Sequence, residues 1–347
     1  MSPSRRSPAR TGRGADLDAA AKRLLAEGAA EHKAEHALLA RRMLDRMRRT
    51  VPGARRRDAL FRRVAARVGF DASGMTALHA RDYETAKKQV AAQRQAVRAQ
   101  LRRRVVEQQA LLRHVLENRE RFEHRSSNPI TQICVWRTSA PPPATVETDA
   151  GSGGSVDVDP AMQSANPVAG TNRVTLSAVC RGVCLVTLRT HHLFESTAPH
   201  DGVLSVSAFF APVGSYSLTA AGGCFGAHGL SLLDLRARVK VRVRNDAGDV
   251  IRAPNPGFSL IVHDQTDAGC EADARAGAFD LNAEAFEASR PRVMNVLSGD
   301  RILVTAQYNL LVSTTTLDGA SGAEADFDLS SAGHGLNVPV VLMTVED

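Results

Sequence analysis

The chain has 347 residues, 43% apolar and 4% aromatic, with a formal net charge of +7. That length suits two domains, or one domain with a long appendage. No apolar run approaches the roughly 20 residues that a membrane-spanning helix needs, so no transmembrane segment is expected. The net charge hides a division. Residues 1–125 hold 30 Lys+Arg against 14 Asp+Glu, net +16, and the remainder is net −9. Such asymmetry points to an anionic partner for the first part, or to neutralisation of one part by the other.

Residues 1–15 read as a disordered basic arm, Arg/Ser-rich and without the apolar core of a secretory leader. From Asp16 the pattern is helical through residue 125. Leu17, Ala21, Leu24, Leu25, Leu39, Met43 and Met47 recur at helical spacing. Val51-Pro52-Gly53 is expected to stop this helix, because proline lacks the amide donor. A short helix follows over about Arg55–Val68, with Leu60, Phe61, Val64 and Val68 on one face, and Gly69 as its C-cap. The stretch Thr76–His124 has no Gly or Pro. Its Val90, Val97, Leu101, Val105, Leu112, Val115 and Phe122 form a coiled-coil-like seam with a stutter, interrupted by Arg94, Gln108 and Arg119. It can pack as a helical hairpin or against other chains.

Within residues 126–138, Ile130–Trp136 is a strand candidate. Residues 139–172 read as a Pro/Gly/Ser-rich linker or large loop. From residue 173 to 347 the periodicity drops to two, with many short apolar runs between Gly/Asp/Asn turns. Residues 235–244, Leu-Arg-Ala-Arg-Val-Lys-Val-Arg-Val-Arg, alternate apolar and basic, which predicts a strand with one buried face and one face in water. Asn245–Asp249 and Ser298–Asp300 read as turns. The expected fold class is segregated α+β: an N-terminal helical hairpin or coiled coil, then an antiparallel β-sandwich, jelly-roll-like.

The five cysteines, Cys134, Cys180, Cys184, Cys224 and Cys270, are an odd number without a leader. That favours reduced thiols and a cytoplasmic setting. Cys180 and Cys184 lack the second clustered pair that zinc requires.

Four groups are candidate sites. His32-Lys-Ala-Glu35-His36 matches the H-x-x-E-H string of inverted zincin metalloproteases. On a helix the two histidines lie one turn apart on one face, as a zinc pair requires, and Glu107 is a conceivable third ligand. His191-His192 and His200-Asp201 form a local cluster, of which His191, His200 and Asp201 are candidate binding residues. Successive strand residues face opposite ways, so His191 and His192 cannot share one ligand in a regular strand. Asp264, Asp267, Glu271 and Asp273 read as a solvated acidic loop. The arginine runs Arg55-Arg56-Arg57 and Arg102-Arg103-Arg104 suit phosphates without reading bases. Aromatic residues are too few here for base stacking.

No serine-nucleophile, phosphate-loop or dinucleotide string occurs, Gly222–Gly226 lacks a following helix, and no cofactor or small-molecule substrate is indicated. The reading is therefore a non-enzymatic structural or binding protein. The helices serve assembly, self-association or docking, and the sandwich binds a protein partner. The alternative is nonspecific binding of nucleic acid or an anionic surface by the Arg-rich helices. A more remote one is a metal-dependent hydrolase at His32, Glu35 and His36.

Overall fold

The computed structural model describes residues 13–117, 124–127, 130–136, 144–151, 154–158, 171–222, 228–245, 250–252, 258–268, 271–279, 292–328, 335–338 and 340–347. Two helices come first: α1, Arg13–Arg67, and α2, Ala72–Glu117. Both are rich in Ala, Arg, Leu, Glu and Gln, the residues that lose least on entering a helix. Contrary to the sequence expectation, Pro52 does not end α1. The proline deprives one carbonyl of its amide partner. Here the preceding turn, Arg48, Arg49 and Thr50, is exposed, so water can serve that carbonyl instead. The helix ends where Gly69 adopts a left-handed φ of 70° and the Phe70 amide bonds the Ala65 carbonyl at 2.8 Å. That is the 6→1 bond of a glycine C-cap.

The strands are β1 His124–Ser127, β2 Ile130–Trp136, β3 Thr145–Ala150, β4 Gly154–Val158, β5 Thr171–Arg189, β6 His192–Thr197, β7 Gly202–Ala208, β8 Ala211–Pro212, β9 Gly214–Ala221, β10 His228–Arg244, β11 Val250–Arg252, β12 Ser259–Ala268, β13 Asp273–Phe279, β14 Arg292–Val296, β15 Arg301–Asp328, β16 Leu336–Asn337 and β17 Val340–Glu346. A five-stranded sheet runs β1-β2-β17-β7-β14, and a ten-stranded sheet is built around β11-β10-β15-β5-β3. β8 and β16 form a separate two-stranded ladder. Every described pairing is antiparallel. The segregated fold is thus helices followed by an antiparallel β-sandwich. Residues 139–172 carry β3 and β4, which pair with β5. The expected acidic loop is mostly strand: Asp264 and Asp267 lie on β12, where Asp264 accepts from Tyr216 Oη at 3.0 Å, and Asp273 opens β13. Most of the Asn245–Asp249 turn and of Gly222–Gly226 falls outside the described residues.

The period-two pattern explains the core. Leu233, Leu235, Ala237, Val239, Val241 and Val243 of β10 point inward, as do Ile302, Val304, Ala306, Tyr308, Leu310 and Val312 of β15. They meet Leu204, Val206, Val341, Met343 and Val345 of the other sheet in one continuous core. The opposite face of β10, β15 and β5 is polar, with Arg238, Gln307, Thr187 and Arg189. Contrary to the expectation for the alternating strand, that face is not left to water. The first half of α1 covers it, so Arg238 and Arg189 are buried.

Candidate functional site

The seam between α1 and the sheet is a charge zipper whose repeat is set by geometry. Helical residues four apart rise about 6 Å along the axis, and alternate residues on one strand face advance about 6.6 Å. Glu27 and Glu31 therefore keep step with Arg242 and with the Lys240 and Arg238 that follow it on the same face of β10. The ion pairs follow that register. Glu27 Oε2 lies 2.8 Å from Arg242 Nη2, and Glu31 meets both Lys240 Nζ at 2.6 Å and Arg238 Nη1 at 3.2 Å. One turn on, Glu35 Oε2 lies 2.5 Å from Arg189 Nη2 on the neighbouring β5. As α1 ascends, β10 descends, so the helix runs antiparallel to that strand.

Three histidines are buried in this seam: His32, His36 and His191. The Thr145 hydroxyl donates to the Arg189 carbonyl at 3.5 Å and so accepts from His32 Nδ1–H at 2.8 Å. His36 Nδ1 lies 2.8 Å from Thr187 Oγ1. The network also fixes the state of His191. Arg238 Nε donates to Gln307 Oε1 at 2.7 Å, which leaves the Gln307 amide NH2 to donate to His191 Nδ1 at 2.8 Å. Nδ1 must then be the unprotonated nitrogen. A proton there would meet an N–H, so the geometry holds His191 neutral. Burial and the nearby Arg189, Lys240 and Arg238 cations act in the same sense and push its pKa down to about 4. Burial and Arg189 lower His32 to about 3. Burial lowers His36 too, opposed by Glu147 and Asp149. Burial pushes Glu31 up, but Lys240 and Arg238 more than reverse it, so its carboxyl sits below the usual range.

The side of His191 facing α1 explains Gly28. A Cβ at Gly28 would stand 2.6 Å from His191 Cε1, so only glycine lets the helix lie this close. The Phe258 ring stacks beneath both buried guanidiniums, 4.1 Å from Arg238 and 5.1 Å from Arg189.

The structure brings His32, Glu35 and His36 together on one face of α1, as their spacing requires. Each is engaged by the sheet: Thr145, Arg189 and Thr187 respectively. Among the described residues no three His, Cys, Asp or Glu side chains gather into a metal-binding group. The Glu107 side chain lies outside the described residues. His191 and His200 are not brought together, because β6 separates them by about 20 Å of extended chain. His200 instead lies 2.8 Å from Asp347 and 3.0 Å from Thr131, and Asp201 accepts from the Ser298 amide at 2.7 Å. His192 faces the core edge-on to Tyr308. Burial pushes the Cys184 thiol pKa up.

Beyond Ala40, α1 changes character. Residues 41–67 contain eleven arginines and two aspartates. At about 100° per residue the arginines sweep an arc of roughly 220° along about 40 Å of helix. Among the described residues, the polar side-chain contacts of this half are local: Arg48 with Asp45, Arg62 with Asp58, and Thr50 and Arg63 with carbonyls of the preceding turn. Arg55, Arg56 and Arg57 are exposed. The side chains of Arg102, Arg103 and Arg104 lie outside the described residues. No helix among the described residues is long and apolar enough to cross a membrane.

Glu27, Glu31, Arg189, Arg238, Lys240, Arg242 and Gln307 escaped the sequence reading of the site. One signal was available: glutamates every four residues on a helix and cations every two on a strand share a spacing.

No protein-family model matches the chain, and no curated protein matches it in sequence. Among solved structures it is similar to TmCBM61 in complex with β-1,4-galactotriose, at 11% identity and a TM-score of 0.17, over 65% of this chain and 99% of that one. It is also similar to a carbohydrate-binding module of the β-sandwich superfamily, at 7% identity and a TM-score of 0.17, over 57% of each chain. A third is a structure of infectious bursal disease virus Gt strain, at 12% identity and a TM-score of 0.15, over 64% of this chain and 37% of that one. At these scores the likenesses carry no functional argument, and fold alone does not carry function.

Proposed function

We propose that the chain is a non-enzymatic structural or binding protein: a β-sandwich scaffold holding out a basic helical arm that docks on an anionic partner. One observation carries this reading. α1 is divided between a half whose carboxylates are consumed by the sheet and a half whose arginines are presented to solvent. A helix that only covered the sandwich would need no such extension. The non-enzymatic part is supported by the state of the seam, whose histidines and carboxylates are engaged by fixed protein partners. The expectation that the sandwich itself binds a protein partner belongs to the same proposal, as does self-association through the helices.

The test uses immobilised heparin, a polyanion without bases or acyl chains. The full chain is expected to be retained at near-physiological salt and to elute on a salt gradient, as counterion-linked binding requires. Replacing Arg55, Arg56 and Arg57 with Gln should bring elution to clearly lower salt without changing the thermal midpoint, since all three are exposed. Unchanged elution would overturn the assignment of the arm.

A further inference from the structure

We infer that the tip of the helical hairpin docks on an anionic lipid bilayer. This rests on the reading of the arm as an anion-docking element and names its partner. Five of the eight exposed large apolar side chains among the described residues sit at this one end of the molecule: Leu60, Val64, Val68, Phe70 and Leu78. Leu60, Val64 and Val68 are spaced by four, so they form a single stripe on α1. Val68 is 72% exposed and Leu60 58%. Gly69 then turns the chain, placing Phe70 edge-on against Phe61 at 6.0 Å and leading into α2, whose first two turns carry Leu78. Within two helical turns stand Arg55, Arg56, Arg57, Arg62, Arg63 and Arg67, all exposed.

This pairing of features selects among partners. An isolated exposed leucine is ordinary, but a concentrated apolar end rimmed by cations marks a docking surface. A polynucleotide backbone would satisfy the arginines and leave the aliphatic stripe against water or phosphate. Nucleic-acid stacking needs aromatic platforms, which Leu60, Val64 and Val68 are not. A second copy meeting tip to tip would set six arginines against six. The headgroup layer of an anionic bilayer meets both demands. Phosphates take the guanidiniums, whose stems lie along apolar surface, and the acyl boundary takes the aliphatic tip. Neither helix is apolar enough to cross, so the hairpin rests in the interface.

The experiment is co-sedimentation of the full chain with vesicles of phosphatidylcholine alone and of phosphatidylcholine with phosphatidylglycerol, at near-physiological salt. Binding is expected only to the anionic vesicles. The triple variant Leu60→Gln, Val64→Gln, Val68→Gln should bind them about tenfold more weakly or worse, a loss on the scale of one buried apolar side chain. Its heparin elution should not move. All three sites are exposed, so the variant keeps its fold. Heparin retention without vesicle binding would overturn the lipid assignment and leave the arm serving a soluble polyanion such as nucleic acid. So would equal binding to both vesicle types, or a triple variant that binds as well as the native chain. Loss of heparin retention in the native chain would instead sink the arm itself.

Discussion

At the residue scale, the seam is held by neutral histidines wedged among arginines. His32 and His191 sit with pKa values near 3 and 4, both below the ordinary 6.5. The groups facing them are Arg189, Arg238 and Lys240 on the sheet, with Glu31, Glu35 and His36 on the helix. For a histidine depressed in the folded state, the unfolded chain takes up the proton first. Stability is therefore fully present above pH 6.5 and lost as pH falls toward the folded pKa. Glu31 acts in the same sense, but only below its own ordinary value of 4.5. Between pH 6.5 and 4.5 the histidines alone should cost on the order of 1 kcal/mol each per pH unit. Chemical denaturation at pH 7, 6 and 5 checks this, and a stability that is flat or rising over that interval would contradict it. The spacing of His32, Glu35 and His36 on one helical face was legible in the sequence. Their partners were not, because Thr145, Thr187 and Arg189 lie more than a hundred residues away and nothing local announces them.

At the element scale, α1 shows where single-residue rules give way to their surroundings. Pro52 reads as a stop, yet one lost hydrogen bond in an exposed turn is small beside a long run of favourable residues. Likewise the alternating β10 pattern gave the core face correctly. Its basic face reads as solvated, because alternation alone does not distinguish water from a charged helix. Gly28 sharpens the point. In an isolated helix Gly→Ala gains about 1 kcal/mol. Here the new Cβ meets an imidazole pinned by Gln307, so Gly28→Ala should lower the thermal midpoint, and Gly28→Val should lower it further. A raised midpoint for the alanine variant would show that α1 does not lie on His191.

At the scale of the whole molecule, the charge asymmetry of the sequence is real but is used in an unexpected sense. The helical region is net +16 and the rest net −9, which suggests that basic helices should lie against an acidic domain. The seam does the reverse. It joins the few glutamates of the basic region to a cluster of cations in the acidic one. Arg94 with Glu324 is a contact of the opposite kind. By consuming minority charges on both sides, the seam leaves the helical arm more basic than its composition states. The segregated architecture, helices then antiparallel sandwich, could be read from periodicity. Which half of α1 is held and which is free could not, since that depends on where the sheet ends.

The most direct test of this division is amide hydrogen exchange along α1, with and without phosphatidylglycerol-containing vesicles. Slow exchange is expected over residues 27–40 that the vesicles do not change, and faster exchange over 41–67 that slows over 55–70 when they are added. Uniform slow exchange along all of α1 in the free protein, or vesicle protection confined to the β-sandwich, would contradict it.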